Sequence, residues 1–286
     1  MLEDTIYDGL ERGAKTPTRP GFDETSAAAA TIIPTTGQEA AIDLRGVAKR
    51  FGNTLVLDGI DLTLPAGSRL GVVGPSGGGK STLLAIIAGL QEPDAGSLSV
   101  AGGRTARERL ARAALMPQRD LLLPWRTALD NACLALENRG VARKEARRRA
   151  HPLFERFGLG QFEDRRPAEL SGGMRQRIAF LRTLMADKDI LLLDEPFGAL
   201  DTITRGQMQE WLLGALNQEP RTVVLVTHDV EEALLLTDRV VVLSTRPGRI
   251  IRHFDVSIPQ LSSRRETVTT PEFVALRETA LEALEA

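Results

Sequence analysis

From Ala41 the chain settles into an alternation of apolar and polar residues. AIDLRGVAKRF (41–51) and TLVLDGIDLTLP (54–65) each follow a two-residue period and flank a Gly-Asn pair, which predicts antiparallel strands joined by turns. SRLGVVG (68–74) is short and aliphatic, a strand that runs straight into a glycine-rich loop. KSTLLAIIAGL (80–90) then has helical spacing and stops at Gly89, ahead of the turn-forming EPDAG (92–96). Between about 127 and 186 the pattern is almost purely helical: TALDNACLALENRG, ARKEARRRAHPLFERFG and the segment after LSGG repeat at three to four residues. Continuous aliphatic runs resume in DILLLDEP (189–196), RTVVLVTHD (221–229) and DRVVVLS (238–244), separated by helices predicted at 202–217 and 229–237.

Aliphatic strands alternating with helices predict a parallel sheet covered on both faces. The fold class is therefore α/β, with an antiparallel β layer at the entry and a helical insertion at about 119–189. Residues 41–250 form the main domain in this reading, and 251–286 add a short strand and the helix of PEFVALRETALEALEA. Residues 1–40, rich in Thr, Pro, Ala and Gly and without sustained periodicity, are expected to be a disordered extension, with a short amphipathic docking segment near Ile6–Leu10 as the alternative. There is no internal repeat.

Composition narrows the classes. A hydrophobic share of 42% and a charged share of 26% are ordinary for a soluble globular protein, and a net charge of −2 carries no nucleic-acid signature. The single cysteine, Cys133, excludes an intrachain disulfide and a thiolate metal cluster, and points to a reducing compartment. The acidic start, MLEDTIYDGLERG, does not read as a secretory signal, and the runs ILLL and VVVL are too short to span a bilayer, so a role at a membrane is expected to be peripheral.

The chemistry begins at GPSGGGKST, comprising Gly74, Pro75, Ser76, Gly77, Gly78, Gly79, Lys80, Ser81 and Thr82. It fits G-x-x-x-x-G-K-[ST], in which glycines let backbone N–H groups surround a phosphate and the following helix start adds roughly half a positive charge. Lys80 is placed to reach the β- and γ-phosphates and Ser81 to bind Mg²⁺. The alternative, a flexible glycine linker, does not account for the strand before it and the helix after it. At the end of ILLLDEP, Asp194 is a ligand for Mg²⁺, direct or through water, and Glu195 can orient and deprotonate an attacking water. If these acids only capped the next helix, two adjacent carboxylates at the mouth of an apolar strand would repel each other with no cation to balance them. Taken singly, Gln118, His228 and Phe51 read more readily as structural residues than as site residues.

A second anion-binding helix start, LSGGMRQR at 170–177, raises the question of why one chain needs two. Phe51, the glycine loop, Gln118, LSGG, ILLLDEP, GALD and His228, in that order over about residues 41–250, resemble the ATP-binding cassette (ABC) family of transporter ATPases, of which LSGG is the signature. The resemblance implies a P-loop NTPase core that binds ATP and Mg²⁺, with Phe51 stacking on the base. It makes Gln118 a mobile-loop contact to Mg²⁺ or the water, and His228 a contact to the γ-phosphate. It implies a head-to-tail homodimer in which each ATP lies on one chain's glycine loop and under Ser171, Gly172 and Gly173 of the other, with Asp201 of GALD coupling the two sites. Two departures are small: Phe51 stands where tyrosine is common, and Gly78 replaces a larger residue, which is expected to loosen the loop slightly.

QRDLLLPWRTALDNACLAL and DEPFGALD are similar to the ATPases of importers for nitrate, sulfonates, taurine and pyrimidine-type precursors. That similarity implies a separate integral membrane permease whose coupling helix docks near Leu121–Trp125, an extracytoplasmic solute-binding protein acting indirectly, and a peripheral position on the cytoplasmic face of the inner membrane. Trp125 packed under the helical insertion is the competing reading of that stretch. ARKEARRR reads as a solvated helix face. Two other functions remain, a soluble cassette ATPase acting on nucleic acid or ribosomes and a non-hydrolysing nucleotide sensor; the near-neutral charge opposes the first, and the intact Glu195 and His228 oppose the second. The transported solute is not legible in this subunit.

Overall fold

The computed structural model describes residues 40–218, 220–258 and 264–285; the expected N-terminal extension, including Ile6–Leu10, lies outside them apart from Ala40. Strands β1 (Ala40–Phe51) and β2 (Thr54–Pro65) pair antiparallel across the Gly52–Asn53 turn, as their alternation predicts. The inward set Ile42, Leu44, Val47, Leu57, Ile60, Leu62 and Leu64 is fully buried or nearly so. Strand β3 (Arg69–Val73) leads into the glycine loop and α1 (Lys80–Ala88). Next come β4 (Ala95–Val100), α2 (Ala106–Arg112) and β5 (Ala113–Met116). The helical stretch comprises α3 (Ala128–Asn138), α4 (Arg143–Arg156), two short 3₁₀ turns and α5 (Gly172–Leu184). The chain continues through β6 (Ile190–Asp194), α6 (Thr202–Gln218), β7 (Thr222–Val226), α7 (Val230–Leu236), β8 (Arg239–Leu243) and β9 (Ile250–Asp255). It closes with α8 (Arg264–Val268) and α9 (Pro271–Glu285).

Two sheets result. β2-β1-β4 is antiparallel, and β5-β6-β7-β3-β8-β9 is parallel except at its β8–β9 edge. One core lies between the antiparallel sheet, α1 and one face of the parallel sheet; the other joins the opposite face to the helices. An aromatic chain runs through the second core. Phe157 meets Trp211 edge-on at 4.4 Å, and Phe180 lies 5.9 Å from Phe197, so the helical insertion is packed against α6 and the turn that follows β6.

Three elements lack a strong sequence pattern. β4 is mostly exposed, β5 has four residues, AALM, without a β-branched side chain, and α2 has seven residues. The start of α2 is fixed by a reciprocal capping box between Thr105 and Glu108. Ser171 and Asp229 cap α5 and α7 in the simpler way, each accepting an N–H three residues on. At the far end of α1 the chain reverses through Gly89 at φ 81°, where a Cβ would stand 2.4 Å from the Ala106 carbonyl oxygen. Gly89→Ala should therefore cost about 2–4 kcal/mol, through left-handed strain and a backbone clash. Gly214→Ala, within α6 and with open space around its Cβ, should instead stabilise by about 0.5–1 kcal/mol. Urea unfolding of the two variants checks both signs.

Candidate nucleotide-binding site

Four adjacent parallel strands, β5-β6-β7-β3, end on the same edge of the sheet. Their carboxyl ends deliver, side by side, Gln118, the Asp194–Glu195 pair, His228 and the glycine loop. This is the edge where open α/β sheets bind ligands. A cavity of about 440 Å³ opens there, lined by Phe51, Val56, Ser76, Gly77, Gly79, Lys80, Ser81, Thr82, Gln118, Glu195 and Arg246.

The loop is shaped by glycines at two left-handed positions, Gly77 (φ 78°) and Gly79 (φ 90°). A Cβ on Gly79 would also lie 2.6 Å from Leu57 Cδ2, so this residue is confined by packing as well as by conformation. Gly74 and Pro75 do not line the cavity; their carbonyls accept from Lys80 Nζ at 2.7 and 2.9 Å, which fixes the ammonium. Burial pulls the Lys80 pKa below the usual lysine value, and the nearby charges of Glu195 and Asp194 partly offset this. The loosening expected of Gly78 is a correction: a Cβ there would lie 2.9 Å from the Ser244 carbonyl and 3.1 Å from that of Pro75. Glycine allows the loop to touch the β8–β9 turn, so the contact tightens it.

Asp194 is 6% exposed and hydrogen-bonds the Ser81 side chain. Burial raises its pKa, Ser81 and Lys80 act the other way, and neighbouring Glu195 raises it further. Two adjacent carboxylates facing one lysine leave the inner end of the site short of positive charge. Among the described residues no group of three or more His, Cys, Asp or Glu side chains is arranged to hold a metal unaided. A hydroxyl and a carboxylate beside a phosphate-binding loop do fit Mg²⁺, which binds through few protein ligands and keeps phosphate and water in its shell.

Glu195 takes up a left-handed backbone (φ 48°), rare for a residue with a side chain and characteristic of strained functional turns. Its N–H is held by the Val226 carbonyl at 2.8 Å, and its own carbonyl accepts from Gly198 N (3.2 Å) and Gln176 Nε2 (3.4 Å). The carboxylate stands between two predicted residues. Gln118 Nε2 donates to Oε2 at 3.0 Å, and His228 Nδ1 lies 3.6 Å from Oε1. The His228 turn is braced from below, where buried Thr227 donates through Oγ1 to Glu232 Oε2 at 2.5 Å. Burial pushes the Glu232 carboxyl up to about 7.

Phe51 is 47% exposed and faces the cavity, with Lys49 Nζ 5.6 Å from its ring centre, so it is not a core residue. Ser171, Gly172 and Gly173 sit at the start of α5 and do not line their own chain's cavity; Ser171 and Gly172 are exposed. The arginines of this helix turn inward and are not free for an anion: Arg175 pairs with Asp120 at 3.0 Å, and Arg177 donates to the Phe157 carbonyl at 2.7 Å. Asp201 is exposed and accepts from the N–H groups of Ile203 and Thr204, so it also caps α6. Leu121 and Trp125 are 59% and 69% exposed, which overturns the reading of Trp125 as core. Sequence reasoning missed Val56, Gln176 and Arg246. Val56 follows Phe51 within one hairpin and could have been inferred, whereas the other two depend on tertiary packing.

A family profile described as ABC transporter matches residues 57–198. An aliphatic sulfonates import ATP-binding protein of Rhodococcus jostii is 50% identical over 203 residues, which is 71% of this chain and 79% of that protein. A taurine import ATP-binding protein of Rhizobium johnstonii is 41% identical over 236 residues, covering 81% and 90% respectively. Among solved structures, a dimeric bacterial ABC transporter cassette matches with a TM-score of 0.68 at 30% identity, covering 75% of this chain and 98% of that one. An ATP-binding cassette dimer in a post-hydrolysis state, bound to ADP and Pi, matches over the same shares with a TM-score of 0.67 at 29% identity. The fold, the sheet edge and these relatives agree: the chain belongs to the ABC transporter family, as one of its ATP-binding cassettes.

Proposed function

We propose that this protein is the ATP-hydrolysing subunit of an importer, driving uptake of a small organic solute of the sulfonate or taurine class through a separate permease. The observation that carries the reading is the position of Glu195, held by a strained turn between Gln118 and His228 at the rim of a glycine-loop cavity. ATP would lie with its base on Phe51 and its phosphates in the loop formed by residues 74–82, against Lys80. Ser81 and Asp194, with Gln118, would hold Mg²⁺, whose chemistry there is to neutralise charge on the β- and γ-phosphates. Glu195 orients a water for in-line attack on the γ-phosphorus and accepts its proton; the bond to the β-phosphate oxygen breaks, and Lys80 with the loop N–H groups takes up the charge left on ADP. His228 steadies the γ-phosphate and the carboxylate.

A second copy completes the site. Ser171, Gly172 and Gly173 lie outside their own chain's cavity, and a head-to-tail homodimer places them over the partner's γ-phosphate. Asp201 would couple the two sites across that interface. Residues 41–250 would form this ATPase unit, with the helical subdomain at about 119–189, the β9 and C-terminal helix segment appended, and residues 1–40 as its extension. The exposed Leu121–Trp125 stretch would receive the permease's coupling helix on the cytoplasmic face of the membrane, and an extracytoplasmic binding protein would supply solute. In keeping with a peripheral subunit, no helix among the described residues is long and apolar enough to cross a membrane.

Glu195→Gln should leave ATP affinity intact, lower turnover by about 10²–10⁴-fold and accumulate an ATP-bound dimer in light scattering; wild-type turnover would remove Glu195 from the mechanism. Lys80→Ala and Ser171→Arg chains should each be inactive alone, yet their mixture should recover about a quarter of wild-type activity. Half of the dimers are then mixed, and each mixed dimer contains one intact composite site. If the site were formed within one chain, mixing would restore nothing. Trp125→Ala should weaken co-purification with the permease by about tenfold or more, with little change in the isolated chain's unfolding midpoint.

A further inference from the structure

We propose that Arg246, on the turn between β8 and β9, is a nucleotide-binding residue that contacts the α-phosphate. This rests on the ATP reading of the cavity and adds a contact outside the predicted motifs. Arg246 lines the cavity together with Phe51, Val56 and Gly77. A base on the Phe51 ring and β- and γ-phosphates at Lys80 leave the ribose and α-phosphate to span the gap between Phe51 and Gly77. The guanidinium stands beside that span, with Nε directed at the Gly77 carbonyl at 3.4 Å. The cavity lining contains only two cationic side chains, the deeply set Lys80 and the exposed Arg246. Lys80 is committed to the inner end of the loop by the Gly74 and Pro75 carbonyls, so Arg246 is the cation available at the outer end.

The turn that carries Arg246 is built to stay in place. Gly248 N donates to the Val56 carbonyl (2.8 Å), and Asp58 N donates back to the Gly248 carbonyl (3.1 Å), which ties the turn to β2. The Arg249 guanidinium pairs with Asp58 on the same strand. A Cβ on Gly248 would come within 2.2 Å of the Gly78 carbonyl, so the turn also lies directly on the phosphate loop. Within the turn, Ser244 Oγ donates to the Pro247 carbonyl at 2.9 Å and accepts from Arg249 N at 3.0 Å. The Arg246 backbone is therefore referenced to both walls of the cavity. Its long side chain remains free to swing from the Gly77 carbonyl onto a phosphate oxygen, where a guanidinium makes a charge-assisted pair.

ATP and ADP share the α-phosphate, so such a contact predicts an effect on both nucleotides by the same factor, and on KM without kcat. The test is calorimetric binding of ATP and of ADP to the full chain, together with steady-state ATPase of the chain in complex with its permease, for wild type, Arg246→Gln and Arg246→Lys. Glutamine keeps a donor for the Gly77 carbonyl but removes the charge; lysine keeps the charge. Arg246→Gln should weaken both ATP and ADP by about tenfold, raise KM in step and leave kcat within about twofold, while Arg246→Lys recovers most of the affinity. Arg246→Gln binding ADP as well as wild type, a loss confined to ATP, or a fall in kcat at unchanged KM would each overturn the assignment. Failure of the wild type to bind ATP would overturn the nucleotide reading itself, and this inference with it.

Discussion

Everything in this site depends on how a buried strand can end in two carboxylates. β6 is apolar and fully buried up to Asp194, and the next residue must turn out of the sheet without withdrawing its side chain from the edge. A left-handed conformation at Glu195 does this, at a cost of about 1–3 kcal/mol that surrounding contacts must offset. The contacts are visible: Val226 of the neighbouring strand, Gly198 in the turn and Gln176 of α5 all hold the Glu195 backbone. With the backbone fixed from three sides, the carboxylate can face Gln118 and His228 without relying on either for its position. Preorganisation of this kind is worth most where charge develops.

The same edge accounts for the distribution of charge. Lys80 lies among backbone carbonyls and beside two acids, which favour its ammonium form while burial disfavours it. Asp194 is pushed toward its neutral form by burial and by Glu195, and a divalent cation would reverse that push. In the proposed reading, a site balanced in this way would favour a metal–nucleotide complex over either component alone. The proposed second anion seat, at the start of α5, has a different construction. Its arginines are occupied inside the chain, leaving Ser171 and Gly172 exposed at the start of the helix. Exposed N–H groups and a helix dipole make a weak seat in water, which suits a surface that closes on phosphate only when a partner presents it.

The sequence made the long elements legible because their periods were strong and uninterrupted. β1, β2, α1 and the strands ending at Asp194 and Val226 follow directly from apolar spacing, glycines and caps. β4 and β5 were obscure because one is largely exposed and the other is only four residues long, too short to show a period. At the site, residues held in fixed spacing within a motif could be read, since the loop and the strand ends set their geometry locally. Gln176 could not, because its partner is a backbone carbonyl 19 residues away whose direction depends on the turn at Glu195. Arg246 could not either: it reaches the cavity only because Gly78 and Gly248, 170 positions apart, allow two backbones to meet. Gly78 looked like a loosened loop because sequence shows that a side chain is missing and not what fills its place.

The loop after β5 joins the two halves of the proposed machine physically. At one end Gln118 donates to Glu195 in the cavity; at the other Trp125 stands exposed on the outer surface. Between them the loop is not free. Arg175 grips the Asp120 carboxylate, Arg182 donates to the carbonyls of Asp120 and Leu121, and Asn131 closes a pair of hydrogen bonds with the Leu123 backbone. Both arginines belong to α5, the helix capped by Ser171. A force applied at Leu121–Trp125 therefore acts on Gln118 within its own chain and on the Ser171 helix start, which in the proposed dimer would face the partner's nucleotide. Because interfaces packed this closely move as units, a permease bound at that surface would sense at once whether either phosphate is gripped.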